Sequence, residues 1–386
     1  MDKALKVSSF QFLLNTTRKK IDEYISASIE QAKADGYNKG YADGVKSQRE
    51  DQIGEDNIPI HNIESLPTKA LFNAINPDGY KQSDYSAIWP ILFATDVDAG
   101  EAEVNYPYVV YGKGDKVIVE CSDEPTQTIT PYKEAFAIFC LTPNKTYHWT
   151  MYKGTTVLKS GDFKTIGRVR WMKTPDTKYP HNLRDLGSTE ELGKAIKFGR
   201  LYRGEHPDKI ESGSTDHIYL RDQLGITVQM NLRDKTKEPA RDDLFETTYS
   251  YNIPAYAAAI TGSTSSRALF KSAFVAIVNE LEKGHNILIN CWQGRDRTGT
   301  MCWAIQALCG MKAGYCEAHW ELSSFDRCEN SKKWNWEEAS NGELRTFIGK
   351  LETLYGKDPY TQAYRLLTEK IGVPKERIEK LKEIMN

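Results

Sequence analysis

The sequence of 386 residues lacks long apolar runs, a large net charge and a regular cysteine pattern, and each of these absences excludes a class of protein. It contains no run of about 18 consecutive apolar residues, so no segment is predicted to cross a membrane as a helix. Lysine and arginine number 51 against 53 for aspartate and glutamate, which leaves a formal net charge of -2. A chain so nearly neutral has no overall basic field with which to hold nucleic acid.

Cysteine is also scarce and unevenly placed. The seven cysteines are odd in number and irregularly spaced, so a complete disulfide framework is not expected. No Cys-x-x-Cys or His-x-x-x-His pair occurs, and neither a metal site nor a cofactor is predicted. Cys302, Cys309 and Cys316 recur every seven residues and are interpreted as packing residues around a helix. The first residues lack the apolar core of a secretory signal, which favours a cytoplasmic location.

Changes in composition divide the chain into three parts. Residues 1–64 are interpreted as a polar helical leader and an acidic linker, with glycine at every fourth position from Gly36 to Gly44. That stripe suits either a flexible leader or an arm that becomes ordered in an oligomer. Residues 85–166 alternate short apolar runs with turn residues, which predicts a small all-β sandwich. Residues 168–386 mix helical and strand patterns, which predicts an α/β domain.

Several elements are predicted with defined bounds. The sandwich strands are predicted at Trp89–Ala94, Tyr106–Tyr111, Lys116–Cys121, Ala135–Leu141, Thr146–Tyr152 and Thr156–Phe163. In the α/β part, apolar strands are predicted at Ile226–Leu232 and Asn286–Asn290. An amphipathic helix face runs from Leu269 to Leu281, and Gly284 stands where a C-terminal cap is expected.

One segment of the α/β part has the composition of a reactive loop. It reads Asn-Cys-Trp-Gln-Gly-Arg-Asp-Arg-Thr-Gly and places Cys291 and Arg297 six positions apart. The apolar strand leads into it, and a helical run from Thr300 to Met311 leads out. A cysteine on such a turn faces the positive end of the helix and a row of backbone N–H groups, which favours a nucleophilic thiolate. The same N–H groups suit the outer oxygens of a phosphoryl group.

Each residue of this loop has a predicted role. Cys291 is the candidate nucleophile, and the planar guanidinium of Arg297 is expected to pair with two phosphoryl oxygens. Gly294 permits a tight turn close to the anion, and the Thr298 hydroxyl is expected to stabilise the sulfur as a leaving group. The predicted phosphate-binding residues are Trp292, Gln293, Gly294, Arg295, Asp296, Arg297 and Thr298.

This segment resembles the signature of the protein tyrosine phosphatase superfamily, His-Cys-x₅-Arg-Ser/Thr. It is most similar to the bacterial tyrosine/lipid phosphatase branch, whose loop reads Cys-x-x-Gly-Lys-Asp-Arg-Thr-Gly. Further matching segments are Asn182–Gly187, Gly199–Arg203, Leu224–Arg233 with Glu238, and Gly372–Met385. The resemblance covers residues 168–386. It implies an α/β fold with a central sheet flanked by helices, and cysteine-dependent hydrolysis of phosphate monoesters without a metal or organic cofactor.

The chain departs from the family pattern at three positions. Asn290 stands where the family usually has a histidine that orients the loop, and Arg295 replaces a lysine. Asn231 occupies a position that is often aspartate, so the general acid stays open between Asp296 and Asp234.

Residues outside the loop are expected to support it. Arg184 and Asp185, from the opening motif, are predicted to pair with each other and to support the loop from behind. The residues predicted to line or brace the pocket are Tyr202, Arg203, Trp320 and Ser323.

A second resemblance concerns the sandwich. The segments Leu141–Trp149 and Gly161–Thr165 resemble fibronectin type III domains, in which a Leu-x-Pro-x-x-x-Tyr corner and a final Phe-x-Thr strand recur. Such a module is commoner outside cells, so the compartment stays open.

Three functions follow from these patterns. The leading one is a phosphatase acting on phosphorylated protein, above all phosphotyrosine, or on a small phosphate monoester. The second is an inositol polyphosphate or phosphoinositide phosphatase, favoured by Arg295, Lys235, Lys237 and Arg241. The third is a non-catalytic phosphate-binding adaptor, favoured by Asn290 and the unassigned acid.

Overall fold

The computed structural model describes residues 60–62, 100–105, 107–122, 124–131, 134–172, 177–324 and 343–386. Two compact units separate within this part, one ending at Gly167 and one beginning at Arg168. The predicted helical leader and glycine stripe, and the strand predicted at 89–94, lie outside the described residues. Among the helices of the described ranges, none is long and apolar enough to cross a membrane.

The first unit is built from strands in two sheets. The strands are β1 (Ile60–Asn62), β2 (Glu101–Glu103), β3 (Tyr108–Tyr111), β4 (Lys116–Glu120), β5 (Gln127–Ile129), β6 (Ala135–Ile138), β7 (Thr146–Lys153) and β8 (Thr156–Ile166). One sheet has the order β1-β3-β6, and the other has the order β2-β8-β7-β4-β5. Strands β2 and β8 are parallel, whereas the other neighbours are antiparallel.

Alternating side chains hold this unit together. In β7, Tyr147, Trp149 and Met151 are buried, while the residues between them are more exposed. They share one apolar core with side chains of the smaller sheet, such as Tyr108 and Phe136. The predicted all-β pattern therefore agrees with the described strands, although the three-residue strands β1, β2 and β5 were not predicted, and β1 lies in the segment interpreted as leader and linker.

The second unit contains a five-stranded sheet with the order β12-β11-β13-β10-β9. Its strands are β9 (Arg184–Asp185), β10 (Leu201–Gly204), β11 (Ile226–Asn231), β12 (Thr247–Ser250) and β13 (Asn286–Asn290). Strand β9 is antiparallel to β10, and the other neighbours are parallel. Asn290 pairs in register with Gly204 on one side and Asn231 on the other, so three strands end together at one edge.

Helices complete this unit. They are α1 (Thr215–Ile218), α2 (Ala257–Thr261), α3 (Thr264–Glu282), α4 (Asp296–Leu308), α5 (Ala313–Glu321), α6 (Glu343–Tyr355), α7 (Pro359–Arg365) and α8 (Lys375–Met385). Ser263 caps α3 by accepting a hydrogen bond from the Ser266 N–H. Gly284 adopts a φ of 91° just beyond α3, which confirms the predicted C-terminal cap.

Cys302, Cys309 and Cys316 are buried among apolar residues, and the described cysteines form no disulfide with one another. Burial raises the pKa of the Cys302 thiol to about 11 and that of Cys309 to about 12, which keeps both unreactive. The prediction of one shared helix is wrong, because Cys302 lies on α4, Cys316 lies on α5, and Cys309 follows the end of α4.

Candidate active site

The candidate loop lies at the edge where β10, β11 and β13 end. Strand β13 ends at Asn290 and α4 begins at Asp296, so Cys291 to Arg295 form the connection between them. The helix begins four residues before the predicted Thr300, which places Arg297 and Thr298 in its first turn. Cys291 is 3% exposed at the start of the loop. Strand, loop and helix therefore follow one another in the predicted order, and the helix begins earlier than predicted.

Three successive carbonyl groups of the loop accept hydrogen bonds from outside it. The Trp292 oxygen accepts from the His206 N–H at 3.3 Å, and the Gln293 oxygen accepts from Asn182 Nδ2 at 3.0 Å. The Gly294 oxygen accepts from Arg203 Nη2 at 2.7 Å. In a trans peptide the C=O and the following N–H point in opposite directions. The N–H groups of the next three residues are therefore turned away from these donors.

Gly294 allows the loop to lie directly on β10. Its φ is 67°, and a Cβ atom there would be 2.2 Å from the Gly204 carbonyl oxygen. Any side chain would collide with the backbone of β10, so glycine is required both for conformation and for space.

Two buried arginines support the loop from behind. Arg203 binds the Gly294 carbonyl, and Arg184 donates through Nη1 to Asn182, the residue that holds Gln293. The Ser323 hydroxyl joins both arginines, at 3.0 Å from Arg184 and 3.5 Å from Arg203. The bracing roles predicted for Arg203 and Ser323 thus have a geometric basis, and Arg184 acts through Asn182.

Asp185 does not pair with Arg184, so that prediction is wrong. The Asp185 carboxylate accepts from the Gly187 and Gly199 N–H groups at 2.8 and 2.7 Å, and from Arg170 at 3.4 Å. Successive residues of a strand point to opposite faces. Asp185 therefore shapes the chain around Gly187 and Gly199 on the face away from Arg184.

A buried histidine lies near both arginines. Burial, and then the charges of Arg184 and Arg203, hold the pKa of His319 well below its usual value. His319 is therefore neutral, and the positive charge behind the loop resides on the two guanidinium groups.

The two asparagines that depart from the family pattern lie in contact. Asn290 Nδ2 is 3.5 Å from Asn231 Oδ1, and Asn290 Oδ1 accepts from Gln229 Nε2 at 2.9 Å. Asn231 Oδ1 also accepts from Arg233 Nε at 3.0 Å. A row of buried, uncharged amides therefore supports the residue that precedes Cys291.

Arg297 and Thr298 extend the site into α4. Arg297 Nη1 donates to the Leu232 carbonyl at 3.1 Å and to Asn252 Oδ1 at 3.2 Å, so its guanidinium is anchored on one edge. The Thr298 hydroxyl is buried and has no hydrogen-bond partner within the ranges that the structure describes. A buried donor of this kind is suited to an anionic acceptor.

Asp296 is held from two sides. Its Oδ1 accepts from Tyr256 Oη and Arg295 Nε, both at 2.8 Å, and its Oδ2 accepts from Arg295 Nη2 at 3.2 Å. Trp320 Nε1 donates to Tyr256 Oη at 3.0 Å, so the phenol proton is directed at Asp296. Burial, and then the Asp296 carboxylate, raise the pKa of Tyr256 well above its usual value. The Arg295 side chain is only 11% exposed, which excludes a freely solvated arginine.

Asp234 has a different setting. Its Oδ1 accepts from the Thr236 N–H at 3.0 Å and from the Thr236 hydroxyl at 2.7 Å, on the surface. These hydrogen bonds lower the pKa of Asp234 below its usual value. An acid that is more fully ionised than usual is a poor proton donor at neutral pH.

Arg241 does not extend the site, contrary to the second functional hypothesis. Its guanidinium binds Asp243 and the backbone carbonyls of Pro207, Asp208 and Ile210. These contacts fix a turn of the chain and use the donors that a second phosphate would need.

The sequence did not identify Asn252 and Tyr256 as site residues. Both follow β12, a strand that was not predicted, so their arrival beside the loop was not expected. Tyr256 has a φ of 49°, and its N–H donates to the Thr300 hydroxyl on α4 at 2.9 Å. A strained backbone held by the helix of the loop is typical of a functional site.

Comparison with known proteins gives the family. Within the described residues, no group of three or more histidine, cysteine or acidic side chains is arranged to hold a metal ion. A search of curated proteins found no match. A model described as "Tyrosine phosphatase family" matches residues 176–385, which is more than half of the chain and includes the whole loop. The chain belongs to the tyrosine phosphatase family.

Proposed function

We propose that the protein hydrolyses phosphate monoesters, above all phosphotyrosine in proteins, through a phosphocysteine intermediate on Cys291. The observation that carries the proposal is the outward anchoring of the carbonyls of Trp292, Gln293 and Gly294. It turns the N–H groups of Gln293, Gly294 and Arg295 to the other side of the loop, where they form an anion cradle. Family membership supports phosphatase chemistry at this loop.

The reaction proceeds in two displacements. The Cys291 thiolate attacks phosphorus, the bond to the ester oxygen breaks, and a general acid protonates the departing oxygen. The cradle and the free edge of the Arg297 guanidinium hold the three equatorial oxygens. Water then attacks phosphorus, gives its proton to the same carboxylate, and breaks the bond to sulfur. The Thr298 hydroxyl donates to the sulfur as it leaves.

Asp296 is the proposed general acid. Its carboxylate accepts hydrogen bonds from Arg295 and Tyr256, which hold it at the start of α4 beside the proposed cradle.

Asp296→Asn is expected to lower kcat for phenyl phosphate by about 10²-fold or more, the usual range for general-acid catalysis. The loss is expected to shrink for 2,4-dinitrophenyl phosphate, whose leaving group needs no proton. Steady-state kinetics of Asp296→Asn and Asp234→Asn on both esters measure this. The same leaving-group dependence in Asp234→Asn alone would assign the acid to Asp234 instead.

The proposed substrate class is tested with a panel in the presence of EDTA. We expect the wild type to hydrolyse a phosphotyrosyl peptide at least about tenfold faster, in kcat/KM, than a phosphoseryl peptide or phytate. The reason is that Cys291 is almost completely buried and a short seryl side chain reaches it poorly. A preference for phytate would favour the second hypothesis, an inositol polyphosphate phosphatase. Binding of phosphopeptide without any turnover would favour the adaptor, in which Asn290 and the ion-paired Asp296 hold an inactive loop.

Residues 85–166 of the first unit are proposed to form a fibronectin type III-like module, followed in the sequence by a phosphatase domain at 168–386. Its sheet orders and one side-chain contact support this. The Tyr147 hydroxyl accepts from the Thr142 N–H at 2.9 Å, closing a corner five residues long before β7, as tyrosine corners do in such sandwiches.

A further inference from the structure

An aromatic side chain stands exposed beside the nucleophile. Among the described residues with large, exposed apolar side chains, Trp292 is the sole aromatic one, and it is 48% exposed. It follows Cys291 directly, so the two Cα atoms are about 3.8 Å apart. Large aromatic side chains normally bury most of their surface. The exposure of Trp292 is therefore unusual for a tryptophan, and its position next to Cys291 indicates a role at the site.

The Trp292 ring rests on a rigid base. The His206 ring lies 4.4 Å from it between centroids, at an interplanar angle of 32°. The Arg233 guanidinium carbon lies 5.9 Å from the ring centroid. His206 and Arg233 are both buried, and the His206 N–H also holds the Trp292 carbonyl.

One carboxylate ties this base together. Asp208 is 3.1 Å from His206 Nδ1 and accepts two hydrogen bonds from Arg233, at 2.8 and 2.7 Å. Burial alone would raise the pKa of Asp208, but the contacts with His206 and Arg233 outweigh it and lower the pKa. Asp208 therefore stays ionised and keeps both partners in place. The indole is held before any ligand arrives, which reduces the entropy lost on binding.

We infer that Trp292 selects aromatic phosphate esters by stacking on the ring of the leaving group. The inference rests on the proposed function, because it concerns a phosphoryl group held in the loop next to Cys291. In an in-line displacement the leaving oxygen lies opposite the attacking sulfur, so its organic group points out of the loop to the exposed side, and Trp292 is an exposed residue of this loop. An aryl group offers a flat face to the indole, whereas an alkyl group of similar size offers none.

The test is the binding of two non-hydrolysable anions, phenylphosphonate and butylphosphonate, measured by calorimetry. Wild type is expected to bind phenylphosphonate roughly threefold to tenfold more tightly, which is the usual strength of an aromatic pair. Trp292→Leu keeps an apolar side chain but is expected to lose this preference, whereas Trp292→Phe is expected to keep most of it. Leu269→Ala, which alters another exposed apolar residue on α3, serves as the control and is expected to retain it.

Two outcomes would overturn the inference. Equal weakening of both phosphonates in Trp292→Leu would make Trp292 a structural cover for His206 and Arg233. A phenyl preference that survives in Trp292→Leu would place the selective surface elsewhere. The assay needs no turnover, so it also applies to a protein without phosphatase activity. If such a protein shows a phenyl preference that depends on Trp292, this inference stands and the proposed function is rejected. Absence of binding to either anion would reject both.

Discussion

Replacement of Cys291 by serine is expected to lower kcat by about 10⁴-fold or more, because a hydroxyl is far less ionised than a thiol near neutral pH. Serine has nearly the same size as cysteine, so the buried position at the start of the loop stays filled. The N–H groups of the loop and Arg297 are unchanged. Affinity for a phosphotyrosyl peptide is therefore expected to remain within a few-fold of wild type.

Hydrolysis of p-nitrophenyl phosphate with EDTA present, together with peptide binding by calorimetry, measures this prediction. Cys121→Ser is the matched control, since Cys121 is a partly exposed cysteine of the first unit. We expect it to keep wild-type activity. Undiminished turnover in Cys291→Ser would remove the covalent mechanism altogether, and loss of peptide binding along with turnover would point to collapse of the loop.

Arg297→Lys is expected to lower kcat/KM by about 10²- to 10³-fold, the scale seen when one transition-state donor is removed. Lysine keeps the positive charge but lacks the planar fork that pairs with two oxygens at once. It also cannot reproduce the anchoring of one guanidinium edge on the Leu232 carbonyl and Asn252, which leaves the other edge for the proposed pairing with phosphoryl oxygens.

Kinetics on an aryl phosphate and thermal unfolding, measured side by side, separate catalysis from folding. Arg377→Lys is a suitable control, because Arg377 forms its ion pair with Glu282 on the outside of α3 and α8. We expect that control to be fully active. If Arg297→Lys is active but melts at a lower temperature, Arg297 is a brace for the end of β11 and not a phosphate ligand.

The local pattern of the loop could be predicted from the sequence because strand, turn and helix signals are continuous there. The carbonyl groups at which it is held could not, although Arg203 was expected to line or brace the pocket, because the donors come from distant parts of the chain. Asn182 and Arg203 lie 111 and 91 residues from the carbonyls they bind. Tyr256 was not predicted for the same reason. Its contact with Asp296 depends on β12, a strand that is too short and too mixed in composition for its pattern to be recognised.

Proximity in sequence also led to a wrong prediction in one case. Arg184 and Asp185 are adjacent and opposite in charge, yet they serve different surroundings because a strand alternates its faces. Conversely, Asn231 and Asn290 looked like independent departures from the family pattern and proved to be in contact. A change at one position is therefore best interpreted together with the other.

The contact between Asn231 and Asn290 also bears on how the protein responds to acidity. Amide side chains neither gain nor lose a proton between mildly acidic and mildly alkaline conditions, whereas a histidine in the same place would titrate within that interval. The scaffold beneath the nucleophile thus has no proton to exchange with the medium through these two residues. These two side chains therefore add no ionisation of their own to the dependence of the rate on pH.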